Sequence, residues 1–248
     1  MNKAVVYAGT RNVYKDMCPS VKSLLAHNDI DVVYFLIEDD VFPYELPDVV
    51  KCINVSKQRF FRVTGPNYQS AKTYMTMMRT ALCKLFPELD RVLWLDIDTI
   101  VLGDISKLWE LPLDDYYFAA TKEIGRSTEK SLYTNVGVSM YNLEKMRDGM
   151  ADQVINALNS KIYRFLEQDA LNEFCRGYIF DMPSEYNANE YTEKVENPKI
   201  IHFAATPGWQ NLPIVREYAD LSLPVAINHA DTPAQSRRGR RKSSALDE

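Results

Sequence analysis

Short apolar runs alternate along the chain with segments whose apolar residues recur at helical spacing. Runs of strand length occur at 4–8, 31–37, 49–55, 91–95, 116–121, 134–141 and 199–203. Helical spacing is clearest at 70–86, where Pro87 ends the pattern. Further helices are predicted at 14–27, 142–158 and 166–176, with Asn142 as a candidate cap. Strands that alternate with helices are typical of βαβ units, so we expect an α/β fold with a mostly parallel, Rossmann-like central sheet flanked by helices.

The composition agrees with a folded domain. Of 248 residues, 46% are hydrophobic and 25% are charged, which excludes a disordered or fibrous chain. The longest apolar runs are far shorter than the roughly 20 residues that a membrane span needs. Met1, Asn2 and Lys3 lead directly into the first apolar run, so no signal peptide is expected.

Charge is distributed unevenly along the chain. Up to residue 236 there are 24 basic and 32 acidic residues, a net charge of −8. Such a body is a poor nonspecific binder of nucleic acid, because that affinity comes from neutralising phosphates. The segment 231–248 lacks apolar periodicity and is predicted to be a disordered tail. Its basic cluster at 237–242 has two interpretations, a peripheral tether to anionic lipid or another polyanion, and a solvated terminus.

The four cysteines are too widely spaced for a metal or redox motif. They are Cys18, Cys52, Cys83 and Cys175, and none has a histidine at metal-ligand spacing. We expect ordinary buried thiols in a reducing compartment, which makes the predicted location cytoplasmic.

Asp96 and Asp98 form the sharpest chemical feature of the sequence. They follow a buried strand, and ligands of open α/β sheets bind at the carboxyl ends of strands. Two carboxylates so close together repel each other, and burying them unpaired is costly. A hard divalent cation that also contacts substrate phosphates resolves this conflict. A solvated, acidic strand end is the structural alternative.

The stretch around these residues resembles a known enzyme family. VLWLDIDTIVLGDISKLW at 92–109 is similar to the Asp-x-Asp region of the glycogenin-like retaining glycosyltransferases, family 8. Further similar blocks follow in order from about residue 4 to about residue 210. The resemblance implies one GT-A domain over 1–230, with a nucleotide-binding half at 1–110 and a smaller acceptor-side half at 111–230. It also implies transfer of glucose or galactose from UDP-glucose or UDP-galactose to a glycan or other hydroxyl acceptor, with retention at the anomeric carbon.

The same resemblance assigns roles to residues. Asp96, Asp98 and His202 correspond to the ligands of a manganese ion, with magnesium possible. Tyr14 corresponds to a side chain that stacks on uracil, and Arg79 to one that contacts the donor sugar or phosphate. Asn135 corresponds to a contact of the donor sugar. The implied donor site comprises Ala8, Gly9, Thr10, Asn12, Tyr14, Arg79, Asp96, Ile97, Asn135 and Gly208. The block Glu167, Gln168 and Asp169 corresponds to the residues around the anomeric carbon, where Gln168 is a positioning and transition-state residue.

Two departures from the family pattern leave alternatives open. Glu167 stands where the family usually has aspartate. Ala205 replaces a glycine in the segment before Trp209, and the lysine that clamps the diphosphate is missing there. Basic residues that could replace it are Lys122, Arg126 and Lys130. The altered segment keeps a non-catalytic nucleotide-sugar binder as an alternative. A haloacid-dehalogenase-type phosphatase is the other, although Ile100 stands where its pattern has threonine.

Overall fold

The structure of the protein is a computed structural model. It describes residues 2–68, 73–128 and 131–220. The basic cluster at 237–242 and Lys130 lie outside the described residues, as do positions 70–72 of the predicted helix at 70–86. The tether interpretation of the tail and the domain boundaries therefore stay predictions.

A central sheet of seven strands organises the fold, and its order is β3-β2-β1-β4-β7-β6-β8. A second sheet pairs β5 with β9. The strands are β1 (Ala4–Ala8), β2 (Val32–Ile37), β3 (Val50–Asn54), β4 (Arg91–Leu95), β5 (Thr99–Val101), β6 (Phe118–Lys122), β7 (Thr134–Asn142), β8 (Ile179–Asp181) and β9 (Ile200–His202). Four of the six strand pairs in the large sheet are parallel, and only β7 runs antiparallel to its neighbours. The expected α/β fold with a mostly parallel sheet is confirmed.

Helices cover both faces of the sheet. They are α1 (Tyr14–His27), α2 (Thr73–Met77), α3 (Leu82–Leu85), α4 (Leu143–Met146), α5 (Met150–Leu158), α6 (Leu166–Phe174) and α7 (Pro213–Asp220). Alternate residues of a strand point to opposite faces, so the central strand β4 serves two cores. Val92 and Trp94 belong to the core that also contains α2 to α6, whereas Leu93 and Leu95 belong to the core under α1.

The helix predicted over 70–86 is interrupted in its middle. Residues Met78–Ala81 form a 3-10 turn between α2 and α3. Side chains here bond to the carbonyl oxygens three residues earlier: Thr76 Oγ1 donates to Thr73, Arg79 Nε to Thr76 and Thr80 Oγ1 to Met77. These bonds compete with the regular helical backbone pattern, which explains the interruption.

Other predicted elements differ in their bounds. The helix over 142–158 is divided into α4 and α5, because Gly149 adopts a left-handed conformation with φ of 110° between them. The short strands β5 and β8 and the helix α7 were not predicted. Cys18, Cys83 and Cys175 are buried as expected, but the prediction is wrong for Cys52, which is exposed on the outermost strand β3.

Membrane-spanning character is absent from the helices of the described ranges. None of them is both long enough and apolar enough to cross a bilayer.

Asn142 ties the end of β7 to the start of α4, and its removal should destabilise the fold. Its Oδ1 accepts a hydrogen bond from Lys145 N at 3.0 Å, and its Nδ2 donates to Leu113 O at 2.8 Å. We expect Asn142→Ala to lower the free energy of unfolding by about 2 kcal/mol, since it loses the cap and leaves a carbonyl without its partner. Urea unfolding measures this. The exposed Asn156→Ala on α5 is the control and should change stability by less than about 0.5 kcal/mol; an equal loss in both variants would contradict the capping role.

Candidate active site

Three strand ends and one strand start meet at one edge of the central sheet. The parallel strands β1, β4 and β6 end there, and β7 begins there because it runs in the opposite direction. A cavity of about 550 Å³ opens at this edge. Its walls therefore combine segments that lie more than a hundred residues apart in the chain.

Asp96, Asp98 and His202 converge on this cavity. One ligand atom from each lies within 4.8 Å of the others. His202 Nε2 is 3.3 Å from Asp98 Oδ1 and 3.8 Å from Asp96 Oδ2. Two carboxylates and an imidazole around one point are a donor set that fits a divalent cation such as manganese. The sequence-based grouping of these three residues is therefore reproduced by the geometry.

The small sheet of β5 and β9 brings His202 to the two aspartates. Its register places Thr99 opposite His202, and Phe203 N donates to Asp98 O at 2.8 Å. Because β5 begins immediately after Asp98, this pairing fixes the distance between residues that are 104 positions apart. The histidine is thus held by backbone pairing rather than by a loop.

The ring of His202 is oriented by Asn187. His202 Nδ1 lies 2.9 Å from Asn187 Oδ1, which can accept its proton and leaves Nε2 facing the aspartates. Burial disfavours the charged ring, but the carboxylates of Asp98 and Asp96 outweigh this and raise the pKa of His202 above its ordinary value. A divalent cation held by the three side chains would take the place of that proton.

Gly137 leaves the space that the histidine ring occupies. A Cβ atom on Gly137 would lie 2.7 Å from His202 Nδ1 and 2.8 Å from Nε2, closer than real Cβ contacts. The imidazole therefore approaches the backbone closely at this glycine.

Arg79 is buried behind Asp96 and fully engaged. It is 2% exposed, and its Nη2 donates to Asp96 Oδ1 at 2.6 Å. Its Nη1 donates to Val136 O, and Glu167 Oε1 lies 3.3 Å from its Nε. The guanidinium also lies over the Trp94 ring, 4.6 Å from the centroid. Arg79 borders the cavity, but its donors point to the protein.

Both ends of the Gln168 amide are fixed by neighbours. Its Nε2 donates to Glu123 Oε1 at 3.0 Å and to Tyr133 Oη at 3.2 Å, and its Oε1 accepts from Val136 N at 3.3 Å. Glu123 is 3% exposed and also pairs with Arg126, whose Nε is 3.3 Å from Glu123 Oε2. Gln168 is therefore rigidly placed in the cavity wall.

A register shift between β6 and β7 shapes this wall. Ala120 lies opposite Ser139, whereas the next residue, Thr121, lies opposite Asn135. The extra β7 residues contribute Val136 and Gly137 to the cavity. Such irregularities are frequent next to active sites, because they redirect backbone groups toward a ligand.

Most residues of the predicted donor site line the cavity, but two do not. Lining residues are Ala8, Gly9, Thr10, Asn12, Arg79, Asp96, Ile97 and Asn135. Tyr14 is a correction: its ring is buried against Phe42 at 5.0 Å, and its hydroxyl is held between Glu38 N and Asp39, so it does not present a stacking face. Gly208 does not line the cavity itself but directly precedes Trp209, which does, and its place in the donor site stays a prediction.

Glu167 and Gln168 line the cavity, whereas Asp169 does not. The Oδ1 atom of Asp169 accepts from Tyr133 Oη at 2.5 Å and its Oδ2 from Phe165 N at 2.8 Å. Asp169 thus orients Tyr133, which in turn contacts Gln168, and its role around the anomeric carbon stays a prediction. Of the basic residues named as substitutes for the missing lysine, Arg126 lines the cavity and Lys122 does not.

Sequence reasoning missed Glu123 and Asn187. Glu123 follows β6 as Asp96 follows β4, so the same strand-end rule could have found it. Asn187 orients the ring of His202, but its place depends on a long-range contact that no local pattern indicates.

Backbone strain is concentrated around the cavity. In the described part of the chain, three residues other than glycine have positive φ: Thr73 at 60°, Leu166 at 48° and Ala205 at 55°. Thr73 and Ala205 line the cavity, and Leu166 immediately precedes Glu167. Left-handed backbone costs about 1 kcal/mol or more for such residues and is common at functional sites.

Comparison with known proteins points to one family. The family model described as Glycosyl transferase family 8 matches residues 4–211. The chain is 26% identical over 215 residues to the lipopolysaccharide 1,2-glucosyltransferase of Escherichia coli (strain K12), covering 77% of this chain and 63% of that protein. The chain therefore spans less than two thirds of the length of this curated relative.

Solved structures share the fold. Galactosyltransferase LgtC, in complex with donor and acceptor sugar analogs, has a TM-score of 0.66 at 18% identity, over 87% of this chain and 95% of that one. Glycosyltransferase GlyE of Streptococcus pneumoniae TIGR4 has a TM-score of 0.68 at 20% identity, over 90% and 61%. At these identities the likeness establishes the fold, which is of the expected GT-A type.

Replacement of Ala205 by glycine should stabilise the protein. We expect Ala205→Gly to raise the free energy of unfolding by about 1 kcal/mol, because glycine adopts the left-handed conformation without steric strain. Thermal unfolding measures the change. Ala204→Gly is the matched control in the same segment and should destabilise the protein instead. Destabilisation by both variants would contradict the strain at Ala205.

Gly137→Ala should displace His202 from the two aspartates. We expect the affinity for Mn²⁺ to fall at least about tenfold, because the new methyl group occupies the place of the ring. Calorimetric titration with Mn²⁺ measures this, and circular dichroism checks folding. Gly125→Ala is the control, since a Cβ atom there meets nothing within 4 Å. Unchanged Mn²⁺ affinity in a folded Gly137→Ala variant would disprove the steric argument.

Proposed function

The chain belongs to glycosyl transferase family 8, and we propose that it moves a hexose from a UDP-sugar to a hydroxyl group of a glycan acceptor, with retention at the anomeric carbon. The observation that carries this proposal is the cluster of Asp96, Asp98 and His202 in the same cavity as the β1 loop. A cation site beside a nucleotide-sized cavity suits a diphosphate ester. Because the chain belongs to this transferase family, we no longer retain the phosphatase alternative.

We place the nucleotide against the loop after β1. Gly9, Thr10 and Asn12 line the cavity there, and Asp96 and Asp98 line the same cavity at the end of the neighbouring strand β4. The diphosphate would then lie beside the cation site, and the hexose would point toward Gln168. A bound Mn²⁺, or Mg²⁺ in its place, would act as a Lewis acid that neutralises charge on the leaving diphosphate. Asp96, Asp98 and His202 would hold it.

The chemistry that we propose needs no protein nucleophile. The bond between the anomeric carbon and the phosphate oxygen breaks, and its electron pair goes to the diphosphate. The acceptor oxygen forms the new bond on the same face, and its proton passes to the leaving phosphate oxygen. Gln168 supports this geometry, because its fixed amide holds the wall beside the reacting carbon and it is a poor nucleophile.

A second group of lining residues suits the acceptor. This group comprises Glu123, Arg126, Phe165 and Tyr191, and the Arg126 guanidinium rests 3.5 Å above the centroid of the Phe165 ring. Carboxylate, guanidinium and aromatic faces are groups that bind sugar hydroxyls and sugar rings. We therefore assign the glycan acceptor to these residues. The transferred hexose that we propose is glucose or galactose.

One observation favours a second candidate, a nucleotide-sugar binder without turnover. Among the described residues that line the cavity there is no lysine, and Arg126 is paired with Glu123. Leaving-group stabilisation would then rest on the cation site alone. Binding of UDP and turnover of UDP-sugars therefore have to be measured separately.

UDP binding should require a divalent cation. We expect calorimetry to show micromolar binding of UDP with Mn²⁺ and no binding with excess chelator, because the diphosphate reaches Asp96 and Asp98 through the cation. Asp98→Asn should abolish binding, while the exposed Asp115→Asn, an identical change outside the cavity, should not. Cation-independent UDP binding would contradict the proposed site.

A hydrolysis panel with UDP-glucose and UDP-galactose then tests catalysis. Release of UDP from one donor, lost in Asp98→Asn, supports the transferase. Cation-dependent UDP binding with no turnover of either donor, also in the presence of glycan acceptors, supports the binder.

A further inference from the structure

The carboxylate of Glu167 is occupied by protein contacts. It is 4% exposed at the start of α6. Its Oε1 lies 3.3 Å from Arg79 Nε, and its Oε2 accepts a hydrogen bond from Thr76 Oγ1 at 3.0 Å. Each carboxylate oxygen thus has a protein partner, and so little of the side chain is exposed that a sugar hydroxyl has little access to it.

Arg79 connects Glu167 to Asp96. The guanidinium lies between the two carboxylates, with Nε toward Glu167 and Nη2 donating to Asp96 Oδ1. Its bonds to the carbonyl oxygens of Val136 and Thr76 keep it in this position. Asp96 and Glu167 therefore share the buried guanidinium of Arg79. The other carboxylate oxygen of Asp96, Oδ2, faces His202.

We propose that Glu167 is a positioning residue that sets the affinity of the cation site through Arg79. This inference rests on the proposed metal-dependent function. With Glu167 present, one guanidinium charge is divided between two carboxylates, and Asp96 retains negative charge for a divalent cation. Without it, Arg79 has Asp96 as its remaining acidic partner among the described ion pairs, and the cation competes with a full positive charge.

Burial strengthens the electrostatic interaction between Arg79 and Glu167. Arg79 and Glu167 are almost entirely excluded from water, so their interaction is screened less than that of surface pairs. A buried guanidinium must also keep a counter-ion, because an unpaired buried charge is costly. After loss of Glu167, Arg79 would therefore remain paired with Asp96. The departure from aspartate matters here, because the longer side chain reaches both Arg79 and Thr76.

The proposal differs in its measurable consequence from direct sugar binding. If Glu167 acts through Arg79, its loss weakens Mn²⁺ binding even when the nucleotide carries no sugar. If Glu167 binds sugar hydroxyls, its loss weakens UDP-hexose relative to UDP and leaves Mn²⁺ binding with UDP unchanged.

The test is a titration with Mn²⁺ in the presence of saturating UDP, in which the electron paramagnetic resonance signal reports free Mn²⁺ and gives its dissociation constant. We expect Glu167→Gln to raise this dissociation constant about tenfold. Glu167→Asp keeps the charge at shorter reach and should raise it only about threefold. Glu173→Gln is the matched control, the same change on the same helix at an exposed residue that pairs with Lys161 at 2.7 Å, and should have no effect.

An unchanged Mn²⁺ dissociation constant in folded Glu167→Gln overturns the proposal, and a selective loss of UDP-hexose affinity assigns the residue to the sugar instead. If Glu167→Gln does not fold, Thr76→Val decides together with Glu167→Asp. Thr76→Val removes the hydrogen bond that orients the carboxylate and should weaken Mn²⁺ about threefold, and unchanged binding in both variants overturns the proposal. Wild-type protein that binds no Mn²⁺ overturns the proposed function and this inference with it.

Discussion

Mutual repulsion of carboxylates at one sheet edge is the constraint on which the rest of this structure depends. Asp96, Asp98, Glu123 and Glu167 all border one cavity. Arg79 is shared by Asp96 and Glu167, Arg126 faces Glu123, and His202 faces Asp98. Since Arg79 is buried and holds two of the four, it joins the wall formed by α6 to the end of β4. The arrangement leaves negative charge at the proposed cation site, and each of the four carboxylates has a protein partner.

The fold places these groups by backbone pairing. The reversal of β7 brings a strand start to the edge where β1, β4 and β6 end, and the register shift beside it turns Val136 toward Arg79 and Gln168. The pairing of β5 with β9 then carries His202 to the aspartates, and Gly137 leaves room for its ring. Chemical groups on strands and strand ends are held more precisely than groups on loops, which suits an electrostatic role.

The cavity is therefore organised most firmly around Asp96, Asp98 and His202. The segment that contains Ala205 carries strain at a position where glycine would fit, and Arg126, which lines the cavity, is paired with Glu123. Family 8 membership gives the class of reaction that we propose for this chain.

Local pattern determined much of the outcome. The apolar run at 91–95 and the pair Asp96 and Asp98 specify a buried strand with charge at its end, and this information lies within a few residues. Resemblance added His202 and Gln168 to the site, and both lie in the cavity. Tyr14 is compatible with a ligand contact by its identity, but its ring packs against Phe42, and no local pattern indicated the bond between Asp169 and Tyr133. The role of Asn187 and the buried position of Glu167 became visible only in the tertiary structure, because burial and side-chain pairing depend on which distant segments meet, and no local periodicity encodes that meeting.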